Sequence, residues 1–383
     1  MRHLLGFAGS VSLCEVKNLN LQWPVALLAG LTSATPAIAQ TGKTFEVKPL
    51  SEGVYAALVV PRPPTYTFAN ALIVVHADGV LVVDTHQTPT AAEALLAEVR
   101  KITERPVRTV VNTHWHGDHV WGNQVYADAY PGVEFIGHET LRDDMLTRGR
   151  ADREEALKTL PASIEQRRGW LSTGRGPDEK PLTEKEREDV RYSLSARETY
   201  LADLKRLRLV PPDTTFSRRL VLHRGGREIH LLHFGPAHTR GDVVVHLPKE
   251  KIAAVGDLLE DVFPYTAHSY PAGWAQALEG IAELKAARLL PSHGGVQEDG
   301  KLLDVELRLF KALAEQARQA LRNGWTLEET RARVRLEAFR EFFTHGDAGR
   351  DAAYDRSVAT ALERAYLEAR EALKPGALGA GPQ

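Results

Sequence analysis

The sequence predicts a layered core of the mixed α/β (α+β) class. Short apolar, β-branched runs alternate with segments of helical periodicity along much of the chain, and such alternation packs as sheets covered by helices. Two of those runs open straight into loops carrying histidine and glycine, Val110-Val111-Asn112-Thr113-His114 and Leu289-Leu290-Pro291-Ser292-His293-Gly294. At 383 residues the chain is long enough for one large domain or two modest ones. Charged residues make up 26% of it at a net charge of −2, so no basic excess marks a nucleic-acid partner.

In chain order, the first feature is an export signal over residues 1–39. Pro24–Leu31 is a short apolar core, and Ala37-Ile38-Ala39 before Gln40 has the small-x-small form of a cleavage site. The stretch is too short, and too diluted by Thr32, Ser33 and Thr35, to span a bilayer stably. The segment ahead of it is long for a signal and holds only Arg2 and Lys17 as positive charges, which points to a misplaced start codon. The single cysteine, Cys14, lies in the part that would be removed, so the mature chain would carry neither disulfide nor thiolate ligand. The expected location is periplasmic or secreted.

Strand patterns follow at Thr44–Val47, Val54–Val60, Ala71–Val75 and Gly79–Asp84, with a proline-rich loop at Pro61–Pro64. His76-Ala77-Asp78-Gly79 reads as a hairpin turn, because Asp-Gly tolerates positive φ. Asp84 closes an apolar strand, where a carboxylate serves as a strand-end cap or, the reading preferred, as the partner of a metal-bound imidazole. A helix over Thr90–Lys101 presents Ala92, Leu95, Leu96 and Val99 on one face and leads to strands Val107–Val111 and Val133–Gly137.

From Glu139 to Pro212 the chain turns charged and helical, with breaks expected at Pro161 and at Thr173–Pro177. Thr183 and Glu186 form a capping box for a helix whose apolar face includes Val190, Leu194, Leu201, Leu204 and Leu207. This insertion, 139–212, either covers part of a site or faces water. Strands return at Arg219–His223 and, past Gly225-Gly226, at Arg227–Phe234, Val243–Leu247 and Ile252–Asp257. A helix over Gly273–Ala286 precedes the run that ends in His293. The region 301–375 is helical, with Gly324 ending one helix, Thr326 and Glu329 capping the next, and Tyr354, Val358, Leu362 and Tyr366 forming a packing stripe on the last. A loose Gly- and Ala-rich tail, 376–383, closes the chain.

The chemistry concentrates in His114-Trp115-His116-Gly117-Asp118-His119. Three imidazoles and a carboxylate within six residues after a strand are the donor set of zinc, with iron and manganese as alternatives. Gly117 is expected to give the backbone freedom to aim them inward. Further candidates are His238, framed by Gly235, Pro236 and Gly241; Asp257 at the end of an apolar strand; and His293 with glycines behind it. His86, His138, His223, His230, His233, His246, His268 and His345 lack such framing and read as core or surface residues, His86 and His268 being the ones best placed to line a pocket.

Together these residues resemble the metallo-β-lactamase-fold hydrolase superfamily, over roughly Val54 to Gly295. The resemblance implies a four-layer αββα sandwich, here a domain over 40–300 with a helical insertion and a helical carboxy-terminal extension. It also implies that His114, His116 and His238 hold one metal, that Asp118, His119 and His293 hold a second, and that Asp257 bridges them. True β-lactamases of the superfamily generally lack a carboxylate at that bridging place, whereas glyoxalase-type thioesterases and many lactonases look like this chain. Two zinc ions, with iron or manganese as alternatives, and a small-molecule substrate are the implied cofactors and partner.

The expected activity is hydrolysis of an ester, thioester, lactone or amide. A bound metal brings the pKa of water from about 15.7 towards 7, and a polarised carbonyl is stabilised as its oxyanion develops. Asp118 would orient the nucleophile and pass its proton to the leaving group. A β-lactam hydrolase and a non-haem iron redox enzyme are the alternatives. Retention of the whole ligand set argues against a binding protein without catalysis.

Overall fold

The computed structural model describes residues 43–64 and 66–371. The proposed signal 1–39, Cys14 and the tail 376–383 lie outside the described residues. Among the described residues no helix is long and apolar enough to cross a membrane.

Near-continuous apolar runs, buried on both faces in the central strands, build two sheets that share a core. The first contains β1 (Phe45–Ser51), β2 (Val54–Val59), β3 (Ala71–His76), β4 (Gly79–Val83), β5 (Val107–Val111), β6 (Glu134–His138) and β7 (Thr214–Phe216), neighbours in that order. Its pairs are antiparallel up to β4 and parallel from β4 to β7. The second sheet holds β8 (Arg219–Arg224), β9 (Arg227–Leu232), β10 (Val244–Leu247), β11 (Ile252–Glu260) and β12 (Arg288–His293), in the order β12-β11-β10-β9-β8. Leu72, Val74, Leu81, Val83 and Val111 point inward to meet Leu231, Val245, Ile252, Ala254 and Leu290.

The residues between them in sequence point the other way. Ile73, Val80, Val82 and Val110 pack under α1 (Pro89–Ile102), whose Ala92, Leu95, Leu96 and Val99 form the face read from sequence. Behind the second sheet, Ala253 and Val255 meet Trp274 and Leu278 of α7 (Pro271–Glu283). Strands apolar on both faces thus give the four-layer αββα sandwich.

Short helices follow the ligand-bearing strand, α2 (Gly117–Val120) and α3 (Asn123–Ala129). The insertion is α4 (Leu141–Asp144), a π-helical turn at Met145–Gly149, and the long pair α5 (Arg150–Thr173) and α6 (Glu184–Arg206). The carboxy-terminal part adds α8 (Lys301–Arg322), α9 (Leu327–Arg333), α10 (Glu337–Thr344) and α11 (Ala348–Ala369). Leu309, Leu313, Tyr354, Val358 and Leu362 share one core with α7, and Trp274 stacks on Phe310 at 4.1 Å. These helices thicken the outer layer of the sandwich.

One expectation about the helices needs correction. Pro161 does not break α5; the helix runs through it because Leu160 and Ile164 anchor that turn to the interior, and packing offsets a penalty of about 3 kcal/mol. The second expected break, at Thr173–Pro177, does end the helix, at Gly174 in the left-handed conformation with φ 70°. The β3–β4 hairpin turns through His76-Ala77-Asp78-Gly79 as expected, with His76 and Gly79 forming its closing pair. Strand β7, of three residues, carried too little pattern to be read.

His138 at the end of β6 gives the fold a measurable acid sensitivity. Its Nδ1 accepts from the Thr140 N–H at 3.3 Å and its Nε2 lies 3.1 Å from the Ser217 carbonyl, so the neutral ring is matched to its site. Burial, then the nearby His233 ring at 4.0 Å, lowers its pKa from 6.5 to about 4. The unfolded chain therefore binds the extra proton between those values, and stability is lost as pH falls from about 6.5 to about 4. His138→Gln is expected to flatten the dependence of the urea midpoint on pH across that window. Parallel profiles for the two proteins would contradict it.

Candidate metal centre

Strand β5 delivers the ligand loop to one edge of the sandwich, and a buried amide clamp holds it there. The Asn112 side chain donates to the His119 carbonyl at 3.1 Å and to Asn123 Oδ1 at 3.1 Å, while Asn123 Nδ2 returns a bond of 2.8 Å to Asn112 Oδ1. Gly117 serves differently from the expectation. It is not among the residues with positive φ; a Cβ there would come within 2.7 Å of the Trp121 indole, so the glycine provides close approach rather than backbone freedom.

All the sequence-predicted ligands meet at this edge, in two sets of donor atoms lying within 4.8 Å of one another. The first set is His114, His116, His238 and Asp257; the second is Asp118, His119, Asp257 and His293. In the first, His116 Nδ1 lies 3.0 Å from His114 Nε2 and 2.9 Å from His238 Nε2. Asp257 Oδ2 is 3.6 Å from both of those Nε2 atoms. In the second, His119 Nε2 stands 3.4 Å from Asp118 Oδ2 and 3.3 Å from Asp257 Oδ1, and His293 Nε2 stands 3.3 Å and 3.4 Å from Asp118 Oδ2 and Asp257 Oδ2. Asp257 does not end its strand; β11 runs on to Glu260, and Gly256 at φ 60° turns the carboxylate into the site.

The surrounding bonds fix which ring nitrogen faces the centre. Asp84 accepts from the Thr113 N–H, the Thr113 hydroxyl and His119 Nδ1, each at 2.8 Å. His119 therefore carries its proton on Nδ1 and turns Nε2 inward, which is the imidazole-partner role preferred for Asp84 over a strand-end cap. The Thr113 hydroxyl, its proton given to Asp84, accepts from His114 Nδ1 at 3.1 Å, which directs His114 Nε2 the same way. For His116 the inward atom is Nδ1, and its Nε2 meets His268 Nδ1 at 2.9 Å.

His268 is the functional partner that sequence reasoning under-read, since no glycine or strand end frames it and it reaches His116 only through the fold. It is a positioning residue for that ring. His268→Phe is expected to lower zinc affinity by about 10–100-fold, the usual cost of removing such a partner, as read by competition with a chromogenic chelator. An unchanged affinity would remove the assignment.

The electrostatics divide the site. Burial, reinforced by neighbouring imidazoles, pushes His114 and His116 well below the ordinary histidine range, so their lone pairs stay free. Burial opposes charge on His119 and His293 too, but there Asp257 and Asp118 prevail and raise both rings well above it. Those protons sit where a cation would satisfy the same carboxylates. Three buried imidazole nitrogens converging edge to edge, together with a shared carboxylate, fit a metal and suit nothing apolar.

The insertion packs against the ligand loop. Trp115 and Trp121 of the ligand loop pack with Leu160 of α5 and Tyr200 and Leu204 of α6. Tyr200 also stacks on Tyr66 at 4.1 Å. The inner face of the segment 139–212 thus packs on the ligand loop, while Arg168, Glu165 and Glu198 on its outer face meet water.

Comparison with known proteins agrees with this architecture. A sequence model described as the metallo-beta-lactamase superfamily matches residues 64–293, more than half of the chain. Among curated proteins, a linear primary-alkylsulfatase of Pseudomonas sp. (strain ATCC 19151) is 23% identical over 274 residues, 68% of this chain and 48% of that protein. The chain thus spans about half the length of that relative. Among solved structures, the metallo-beta-lactamase FIM-1 from Pseudomonas aeruginosa, in its mono-zinc form, superposes with a TM-score of 0.50 at 18% identity, covering 71% of this chain and 98% of that one. A metallo-beta-lactamase from Pontibacter korlensis gives 0.47 at 22% identity, covering 70% and 99%. At these identities the likeness to solved structures is one of fold.

Proposed function

Because the chain belongs to the metallo-β-lactamase superfamily, we propose that it is a hydrolase that holds two metals and cleaves an ester, thioester, lactone or amide. The observation that carries this reading is the pair of donor sets sharing Asp257. His114, His116 and His238 would hold one metal, Asp118, His119 and His293 the other, and Asp257 both. Zinc is the proposed ion, with iron or manganese as the alternatives that imidazole and carboxylate donors admit. Metals bound there would supply Lewis acidity and lower the pKa of water from about 15.7 towards 7.

The chain's own residues do the rest. Asp118 is 18% exposed against 6% for Asp257, so it is the carboxylate that incoming water meets. It accepts a hydrogen bond from that water, orients it, and passes a proton to the leaving group. Trp115 and the insertion exclude bulk solvent, which strengthens every charge interaction inside.

A second reading, hydrolysis of a sulfate ester, is favoured by the alkylsulfatase relative. β-Lactam hydrolysis is less favoured, because Asp257 occupies the bridging place. A panel of lactones, thioesters, aryl esters, primary alkyl sulfates and β-lactams, offered to zinc-loaded protein, tests the proposal. Turnover of at least one class, abolished by chelation and restored by zinc, is expected. No turnover with the metal fully loaded would overturn the reading, and iron in protein purified without added metal would favour the redox alternative. Export to the periplasm or beyond the cell is part of the same proposal, resting on the Ala37-Ile38-Ala39 pattern; a mature protein beginning upstream of Gln40 would contradict it.

A further inference from the structure

The insertion carries two inward arginines without an acidic partner. Arg167 of α5 donates from Nε to Ser193 Oγ at 3.0 Å, and from Nη1 to Ser163 O at 2.9 Å and Ser163 Oγ at 2.6 Å. Arg197 of α6 uses only Nη1, on the carbonyl and hydroxyl of the same Ser193. Among the described residues no carboxylate pairs with either guanidinium, and Arg197 Nε and Nη2 and Arg167 Nη2 donate to no acceptor. Arg168, beside them but facing out, pairs with both Glu165 and Glu198. The insertion thus has acids to spare and places none against the inner pair.

That arrangement sets two like charges side by side with donors left to spare. Arg197 is 9% exposed, and Arg167 is lowered to about 10 first by burial and then by the charge of Arg197. Two partly buried cations bridged by one serine favour an anion that brings charge and lone pairs together. Their place says where that anion belongs. Arg197 stands three residues before Tyr200 on α6, on the same side of the helix, and the Tyr200 ring stacks on Tyr66 and packs with Trp115 and Trp121 of the ligand loop. The arginines therefore neighbour the aromatic cluster that packs on the ligand loop.

We propose that Arg167 and Arg197 form an oxyanion site that holds an acidic group of the substrate, a carboxylate or sulfonate remote from the bond that is cleaved. The planar guanidinium forks match such a group in two-point contact, which neutral or aliphatic substrates cannot exploit. The proposal rests on the hydrolase reading for its substrate, although the anion site can be tested without turnover.

Two measurements on zinc-loaded protein test it. In calorimetric titration with inorganic sulfate, Arg197→Gln and Arg167→Gln are each expected to weaken binding about tenfold or more, Arg197→Lys by less, and Arg168→Gln not at all. In kinetics, p-nitrophenyl hemisuccinate should exceed p-nitrophenyl butyrate in kcat/KM for the parent, and that ratio should fall about tenfold in the two Gln variants. Equal sulfate binding by all variants overturns the site. Sulfate binding that depends on the arginines with an ester ratio that does not also overturns the proposal, since the pair would then serve a free anion. Hydrolysis of neither ester would count against the hydrolase reading alone, leaving the sulfate titration to decide the anion site. Zinc content and thermal midpoint of each variant show whether a loss comes from misfolding.

Discussion

Asp257→Ala is expected to weaken both metals together and to cut hydrolysis by more than about a hundredfold, beyond the 10–100-fold typical of removing an outer partner. Asp257 is the one residue common to both donor sets. Its Oδ2 faces His114, His238 and His293 while its Oδ1 faces His119. Without it, Asp118 is the sole carboxylate left in the two donor sets. Asp257→Asn keeps the shape and removes the charge, and should fall between parent and alanine variant. Metal content by atomic emission, measured beside turnover, reads the effect; full metal occupancy in the alanine variant would contradict it.

Asp84→Ala is expected to lower stability and metal affinity at once. The carboxylate is 1% exposed and accepts three bonds, from the Thr113 N–H, the Thr113 hydroxyl and His119 Nδ1. Removing it strands those buried donors, at about 1–3 kcal/mol for each unsatisfied group, against a total stability of about 5–15 kcal/mol for typical domains. Its φ of 63° adds strain for alanine that asparagine tolerates. Asp84→Asn therefore separates backbone strain from the lost charge. The expected result is a lowered urea midpoint in both variants, larger in alanine, with zinc affinity down about 10–100-fold. Unchanged midpoint and affinity would contradict the role given to Asp84.

Much of the fold was legible because its strands are buried on both faces and its turns carry their own chemistry. Val107–Val111 came out with the boundaries the apolar run implied, and Thr183 and Thr326 cap their helices through Glu186 and Glu329 as the spacing predicts. What was misread was decided by side-chain packing. Pro161 sits inside α5 because of a face supplied by the interior, and Gly117 is required by the Trp121 ring beside it. In the centre, residues framed by strand ends and glycines were readable one by one, and the fold brings them together. His268 was not, because its meaning lies in a contact with His116 across 152 positions of chain. The unpaired state of Arg167 and Arg197 was likewise invisible in a segment dense with acids.

The central claim is that one carboxylate and its six partners hold two cations side by side. Titration of metal-depleted protein with zinc, followed by calorimetry, tests it most directly. Two equivalents per chain are predicted for the parent, with both lost or weakened in Asp257→Ala; a single equivalent, or two that are indifferent to Asp257, would contradict the account.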